Sequence, residues 1–273
     1  MQIDWDDPQF KLLLRKIYEE RGVDLRDYRA KCLARRISTR LNARKVDSIL
    51  AYIEILNREP DEYKKLLNAV TINVTEFFRD HTVWSALEKD ILPMIIDDKT
   101  KRSQKFIRCW SAGTSHGEET YSMSILFHEI LGSRINDFVI RVHGTDIDKA
   151  CIEQAQLGEY LPLAMKGINT ERLSKYFTFN GTSYIINDAV RLITKFIQHN
   201  LVSDAPLKHM DLVVCRNVLI YFSRELQADI YDKFHESLNT DGILAIGKTE
   251  NIWGRALRLF KPVDSKERIY QKI

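Results

Sequence analysis

Apolar residues recur at helical spacing through the first seventy positions. Phe10, Leu13, Leu14 and Ile17 mark one face of a first helix, which Gly22 interrupts. Leu33, Ile37 and Leu41 form one stripe of a second helix, and Arg36, Arg40 and Arg44 form another. Asp47-Ser48 opens a third helix carrying Ile49, Leu50, Ile53 and Leu56, and Pro60-Asp61-Glu62 opens a fourth. No strand pattern occurs before about residue 100. The pattern predicts an all-α bundle over residues 1–72 and a second domain over 73–273.

After Arg102 the period changes. Phe106–Ala112 reads as a strand that runs into the small, polar loop Gly113-Thr-Ser-His-Gly117, and Glu118–Leu131 has helical period. Residues 138–146 predict a second strand, with a helix over 148–157. Residues 211–215 (DLVVC) form a buried-type strand, followed by a helix over 224–238 and a strand over 242–248. Alternating strands and helices predict an α/β fold with a parallel sheet covered on both faces. The runs 257–263 and 268–272 predict a closing antiparallel hairpin. Within 175–187, Asn180-Gly181 separates two β-rich runs, which predicts a small antiparallel insert extended by 191–198 to span about 175–198.

Composition narrows the class. The chain has 273 residues, 44% of them apolar, which is enough for a sizeable core beside a smaller domain. No apolar run is long enough to span a bilayer, and the acidic start MQIDWDDPQF is not a secretory signal. The four cysteines are scattered and the seven histidines show no ligand spacing, so neither a disulfide framework nor a metal site is expected. A reducing cytoplasm is the expected compartment. The net charge is only +3, but residues 25–45 carry eight Lys or Arg (among them Arg29, Arg36, Arg40 and Arg44) against Asp27 alone. Such a local excess predicts an acidic partner surface.

Candidate chemistry gathers at the predicted carboxyl ends of the strands, where open parallel sheets bind ligands. The Gly113–Gly117 loop lacks both a full dinucleotide fingerprint and a phosphate-binding lysine. The acids that follow, Glu118 and Glu119, would repel a pyrophosphate but suit a cationic ligand. S-adenosylmethionine, with a sulfonium and an ammonium, is such a ligand. Asp146 ends the second strand, where an acid accepts ribose hydroxyls, while Asp148 can cap the following helix. Arg216-Asn217 ends the DLVVC strand, and Tyr221 follows as an aromatic suited to a sulfonium. Asn73, Thr75 and Arg79 lie in a polar and aromatic segment that fits a ligand clamp, with Arg79 able to grip a carboxylate.

Five stretches together resemble the chemotaxis receptor glutamate O-methyltransferases, the CheR family. They are TINVTEFFRD (71–80), WSAGTSHGEETYS (110–122), GTDIDKACIEQAQLGEY (144–160), VVCRNVLIYF (213–222) and GILAIGKTENI (242–252). The resemblance implies a helical N-terminal domain and a Rossmann-like class I methyltransferase domain with a small β subdomain. It implies S-adenosylmethionine as cofactor, S-adenosylhomocysteine as product, and methyl transfer to receptor glutamates. By motif it implies cofactor contacts at Asn73, Thr75, Arg79, Gly113, one of Glu118 and Glu119, Asp146, Asn200, Leu201, Arg216 and Asn217. Tyr221 would sit near the methyl group, with Arg79 beside it as the second catalytic candidate. The arginine-rich helix would dock acidic, glutamate-rich receptor helices. The chain is expected to act as a monomer, without membrane insertion or nucleic acid. A base-modifying enzyme would be expected to place Pro-Pro and an aromatic after Asn217, where Val-Leu-Ile-Tyr stands. The family usually reads TGEEPYS and GHSEN where this chain has HGEETYS and GKTEN.

Overall fold

A computed structural model describes residues 6–21, 25–26, 28–70 and 75–273, apart from the side chains at 31 and 32. The described residues fall into two units. One is helical, built from the residues up to Val70 together with Tyr221–Gln227. The other is α/β, running from residue 75 to Ile220 and resuming at Ala228. The segment 221–227 groups with the helical unit.

The helical unit holds α1 (Pro8–Arg21), α2 (Ala30–Ala43), α3 (Ile49–Arg58) and α4 (Pro60–Val70). Its core is the predicted one: Phe10, Leu13, Leu14 and Ile17 of α1 are buried with Leu33, Ile37 and Leu41 of α2. Ser48 caps α3, its side chain accepting from the Ala51 N–H at 3.2 Å.

The α/β unit opens with α5 (His81–Ala86), a π turn at Leu87–Ile91 and α6 (Leu92–Lys101). There follow β1 (Phe106–Ala112), α7 (Glu118–Leu131), β2 (Val139–Asp146), α8 (Lys149–Leu157), β3 (Glu159–Tyr160), α9 (Thr170–Tyr176), β4 (Phe177–Phe179), β5 (Tyr184–Ile186) and α10 (Asp188–Leu192). The unit ends with β6 (Thr194–Gln198), β7 (Met210–Cys215), α11 (Arg224–Ser237), β8 (Leu238–Ile246), β9 (Phe260–Asp264) and β10 (Ile269–Lys272). The first turn of α11 groups with the helical unit.

Seven strands form one sheet in the order β6-β2-β1-β7-β8-β10-β9. The first five are parallel, and the predicted terminal hairpin β9–β10 adds the antiparallel edge. This is a Rossmann-like, mostly parallel sheet. β7 is buried at every position, as a central strand covered on both faces must be. The strand order reverses between β1 and β7, so a crevice opens there beyond the carboxyl ends of the strands.

The antiparallel insert differs from its predicted form. Asn180-Gly181 does turn the chain between β4 and β5, but the third strand is β3, giving the order β3-β5-β4. The run 191–198 does not extend it. β6 pairs in parallel with β2 at the edge of the large sheet.

Candidate active site

The loop after β1 is held by its neighbour strand. The N–H groups of Gly113 and Thr114 both donate to the Thr145 carbonyl, each at 2.8 Å. Gly113 has a φ of +78°, and a Cβ there would stand 2.5 Å from a Val218 methyl. The loops after β1 and β7 therefore touch where only glycine fits. Asp146 completes the loop. Its carboxylate accepts from the Ser115 N–H at 2.8 Å and the Asp148 N–H at 3.0 Å. Asp148 is the helix cap, accepting from the Ala150 N–H at 2.9 Å. Asp148 thus caps α8 as the sequence suggested, and Asp146 stands at the strand end.

Glu118 and Glu119 begin α7 and are both buried. Glu119 lies at the reversal of strand order. It accepts from the Ser111 hydroxyl of β1 at 2.9 Å and faces the Arg216 guanidinium at the end of β7 at 3.4 Å. Burial raises its carboxyl above the ordinary value, and Arg216 and Ser111 pull it back. Among the described residues no such cation faces Glu118. Burial pushes its carboxyl up to about 7, and its buried Oε2 has no hydrogen-bond partner among the described residues.

Arg216 connects three segments, with 2% of its side chain exposed. Besides Glu119, it donates to the Asp80 carboxylate at 2.7 Å and to the Arg79 carbonyl at 2.9 Å. The Arg79 carbonyl also accepts from the Trp84 indole at 2.9 Å. Phe78 and Asp80 flank Arg79 with φ of 54° and 58°. Left-handed backbone at two non-glycine residues is strain that the surrounding bonds must hold, and such strain collects at ligand clamps. Phe77 and Phe78 are core residues. Phe77 packs edge-on against Tyr160 and Phe177, and Phe78 lies under the Arg172 guanidinium at 4.1 Å. Thr75 is half-buried nearby in the chain, and Asn73 lies outside the described residues.

Glu250 holds the loop after β7. Its carboxylate accepts from the N–H groups of Gly247 at 2.6 Å, Asn217 at 3.1 Å and Ile220 at 3.3 Å. Asn217 itself sits at φ 60°. Burial raises the Glu250 carboxyl, and these N–H groups oppose the rise. Across the edge, after β6, the Asn200 amide oxygen accepts from the Val202 and Ser203 N–H groups. The Lys233 ammonium donates to the carbonyls of Leu201, Val202 and Asp204. Leu201 is buried.

The remaining predicted residues belong to the helical unit. Tyr221 is half-buried there, with the Arg36 guanidinium 5.2 Å from its ring centroid. The predicted docking arginines have partners inside the unit. Arg40 pairs with the fully buried Glu62 at 2.6 Å, and Arg44 pairs with Glu59 at 2.5 Å. Arg36 donates to the Ala69 and Val70 carbonyls, and Arg29 to that of Phe222. Arg29 and Arg35 remain exposed, whereas Arg36, Arg40 and Arg44 are half-buried.

Residues 73–269 match the family model described as CheR methyltransferase, SAM binding domain, and residues 8–71 match the CheR methyltransferase all-alpha domain. The chain belongs to the CheR methyltransferase family. It is 34% identical to a chemotaxis protein methyltransferase of Listeria monocytogenes, over 87% of this chain and 88% of the relative. It is 30% identical to the chemotaxis protein methyltransferases of Salmonella typhimurium (90% of this chain, 84% of the relative) and Escherichia coli (90% and 85%).

The cofactor of this CheR-family domain is S-adenosylmethionine, and the residues present fit it. At the carboxyl edge, Glu118, Glu119, Asp146 and Glu250 are buried acids, and Arg216 is the buried cation among the described residues there. A ligand bearing a sulfonium and an ammonium balances that excess. Of the residues singled out in the sequence, Glu119, Arg79 and Arg216 come together in the structure; their partners Asp80, Ser111 and Trp84, and the loop-holding Lys233 and Glu250, were not singled out. Asp80 and Glu250 stand inside the motifs TEFFRD and GKTEN, which was their one available signal. Among the described residues, no helix is long and apolar enough to cross a membrane.

Proposed function

We propose that the chain transfers a methyl group from S-adenosylmethionine to glutamate side chains of chemotaxis receptors, forming glutamyl methyl esters in the cytoplasm as a monomer. The observation that carries the chemistry is the excess of buried acid over cation at the reversal of strand order. The names of the relatives, chemotaxis protein methyltransferases, support a substrate in chemotaxis.

S-adenosylmethionine supplies an electrophilic methyl group on a cationic sulfur. Glu119, fixed by Ser111 and Arg216, is placed to take the ligand's ammonium, and Asp146 its ribose hydroxyls. Arg79, its backbone locked by Arg216 and Trp84, offers its guanidinium to a carboxylate. Gly113 and Asn217 line the crevice walls with backbone; the strand-end loop at Asn200-Leu201, clasped by Lys233, takes the base. Tyr221, four residues after Asn217 in the chain, shapes the methyl pocket. A substrate glutamate has an ordinary pKa of about 4.3 and is ionised at neutral pH, so no general base is required. Rate enhancement would then come from positioning the substrate carboxylate against the bound cofactor and from removing water around the nucleophile.

The exposed cations of the basic segment, Arg35 before Arg29 because Arg29 also holds the Phe222 carbonyl, dock acidic receptor helices. Raising the salt concentration should raise the apparent KM for receptor, because such steering is screened beyond about 10 Å at 0.1 M salt. A flat response would remove the electrostatic component. Asp146→Ala should weaken cofactor binding roughly tenfold or more in calorimetry, since it removes a charged acceptor and releases two loop N–H groups. Unchanged affinity would exclude Asp146 from the site.

A further inference from the structure

We infer that Arg36 is a positioning residue for Tyr221 and not a docking cation; the inference rests on the reading of Tyr221 given above. The Arg36 side chain is half-buried and engaged on two sides. Its Nη1 donates to the Ala69 carbonyl at 3.0 Å and the Val70 carbonyl at 3.1 Å, at the end of α4. Carbonyls at a helix C-terminus carry partial negative charge that favours a cation. The same guanidinium lies over the Tyr221 ring, its Cζ 5.2 Å from the centroid, within cation–π range. An acidic receptor helix could recruit this group only by breaking both sets of contacts.

The contacts around it repeat the theme. The Arg29 N–H donates to the Tyr221 carbonyl at 2.8 Å, and the Arg29 Nε donates to the Phe222 carbonyl at 3.1 Å. Tyr28 bridges to Phe222 in antiparallel fashion, and their rings meet edge-on at 5.1 Å. The beginning of α2 therefore grips the backbone of 221–222, and Arg36 fixes the ring that this backbone carries. Charge alone does not suffice for the task. A lysine ammonium could reach the two carbonyls, which share one guanidinium nitrogen, but it has no second end to lie over the ring at the same time.

The test uses the full chain with Arg36→Met, Arg36→Lys, Tyr221→Ala and the Arg36→Met/Tyr221→Ala double variant. Both Arg36 variants should lower kcat, Arg36→Met by roughly tenfold as expected for a misplaced group. Receptor KM should stay within about twofold with its salt response intact. Without cofactor, amide exchange in the peptide covering 221–227 should quicken in both. In the double variant, Arg36→Met should add no further loss of kcat to that of Tyr221→Ala. A raised receptor KM with a flattened salt response, and unchanged kcat and exchange, would make Arg36 a docking cation. Full rescue by Arg36→Lys, or multiplicative losses in the double variant, would also overturn the inference. Full kcat in Tyr221→Ala would overturn the inference together with the assigned role of Tyr221, while receptor methylation itself would still be measured.

Discussion

Arg216→Met is expected to lower the stability of the ligand-free protein by about 3–5 kcal/mol, the usual effect of removing one partner from a buried ion pair. Methionine fills similar space, so the loss is electrostatic. Glu119 would keep only the Ser111 hydroxyl against its burial, and Asp80 and the Arg79 carbonyl would lose the same donor. For a chain of this size the melting temperature should fall by roughly 10 °C. Arg216→Lys should recover part of the stability, because an ammonium restores one charge but not the fork that reaches three segments. Urea or thermal denaturation measures this directly. A shift below about 1 kcal/mol for Arg216→Met would mean that Glu119 is protonated or solvated in the folded protein. The Arg216-centred description of the clamp would then be wrong.

Glu118→Gln should act in the opposite direction. The carboxyl is raised to about 7 by burial, and its Oε2 has no hydrogen-bond partner among the described residues. A raised carboxyl favours the folded state fully below its unfolded value of 4.5, and that contribution is lost as pH rises through about 7. The shift corresponds to at most about 3 kcal/mol. Glutamine does not titrate, so the variant should gain on the parent by roughly 2–3 kcal/mol between pH 5 and pH 8. Taking the difference between the two proteins cancels the titration of Glu119, Asp146 and Glu250, which burial also raises. It likewise cancels His116, His128 and His143, which burial lowers. Parallel pH profiles for the two proteins would show that Glu118 is not held neutral.

Elements defined by their own neighbours were legible in the sequence. The stripe Leu33–Ile37–Leu41 specifies which face of α2 is buried, and DLVVC specifies a strand covered on both sides. Pairing partners were less so. Thr194–Gln198 has the same local pattern whether it joins the insert or the large sheet, and its pairing with β2 depends on residues some fifty positions away. The return of 221–227 to the helical unit is equally nonlocal. The basic segment shows the limit for charge. Its arginine count is correct, but the acids that pair with Arg40 and Arg44 sit on and beside α4, 22 and 15 positions along the chain. An acid such as Glu250 is harder still, because beside Gly247 of its own loop its partners are backbone N–H groups of another loop.

The central claim is carboxyl methylation of receptors. The direct measurement incubates the protein with radiolabelled S-adenosylmethionine and membranes carrying chemoreceptors, then treats the products with alkali and collects volatile methanol. Label that enters the receptor and leaves as methanol is the expected result. Label that stays on the receptor after alkali, or no label from a protein that still binds the cofactor, would contradict it.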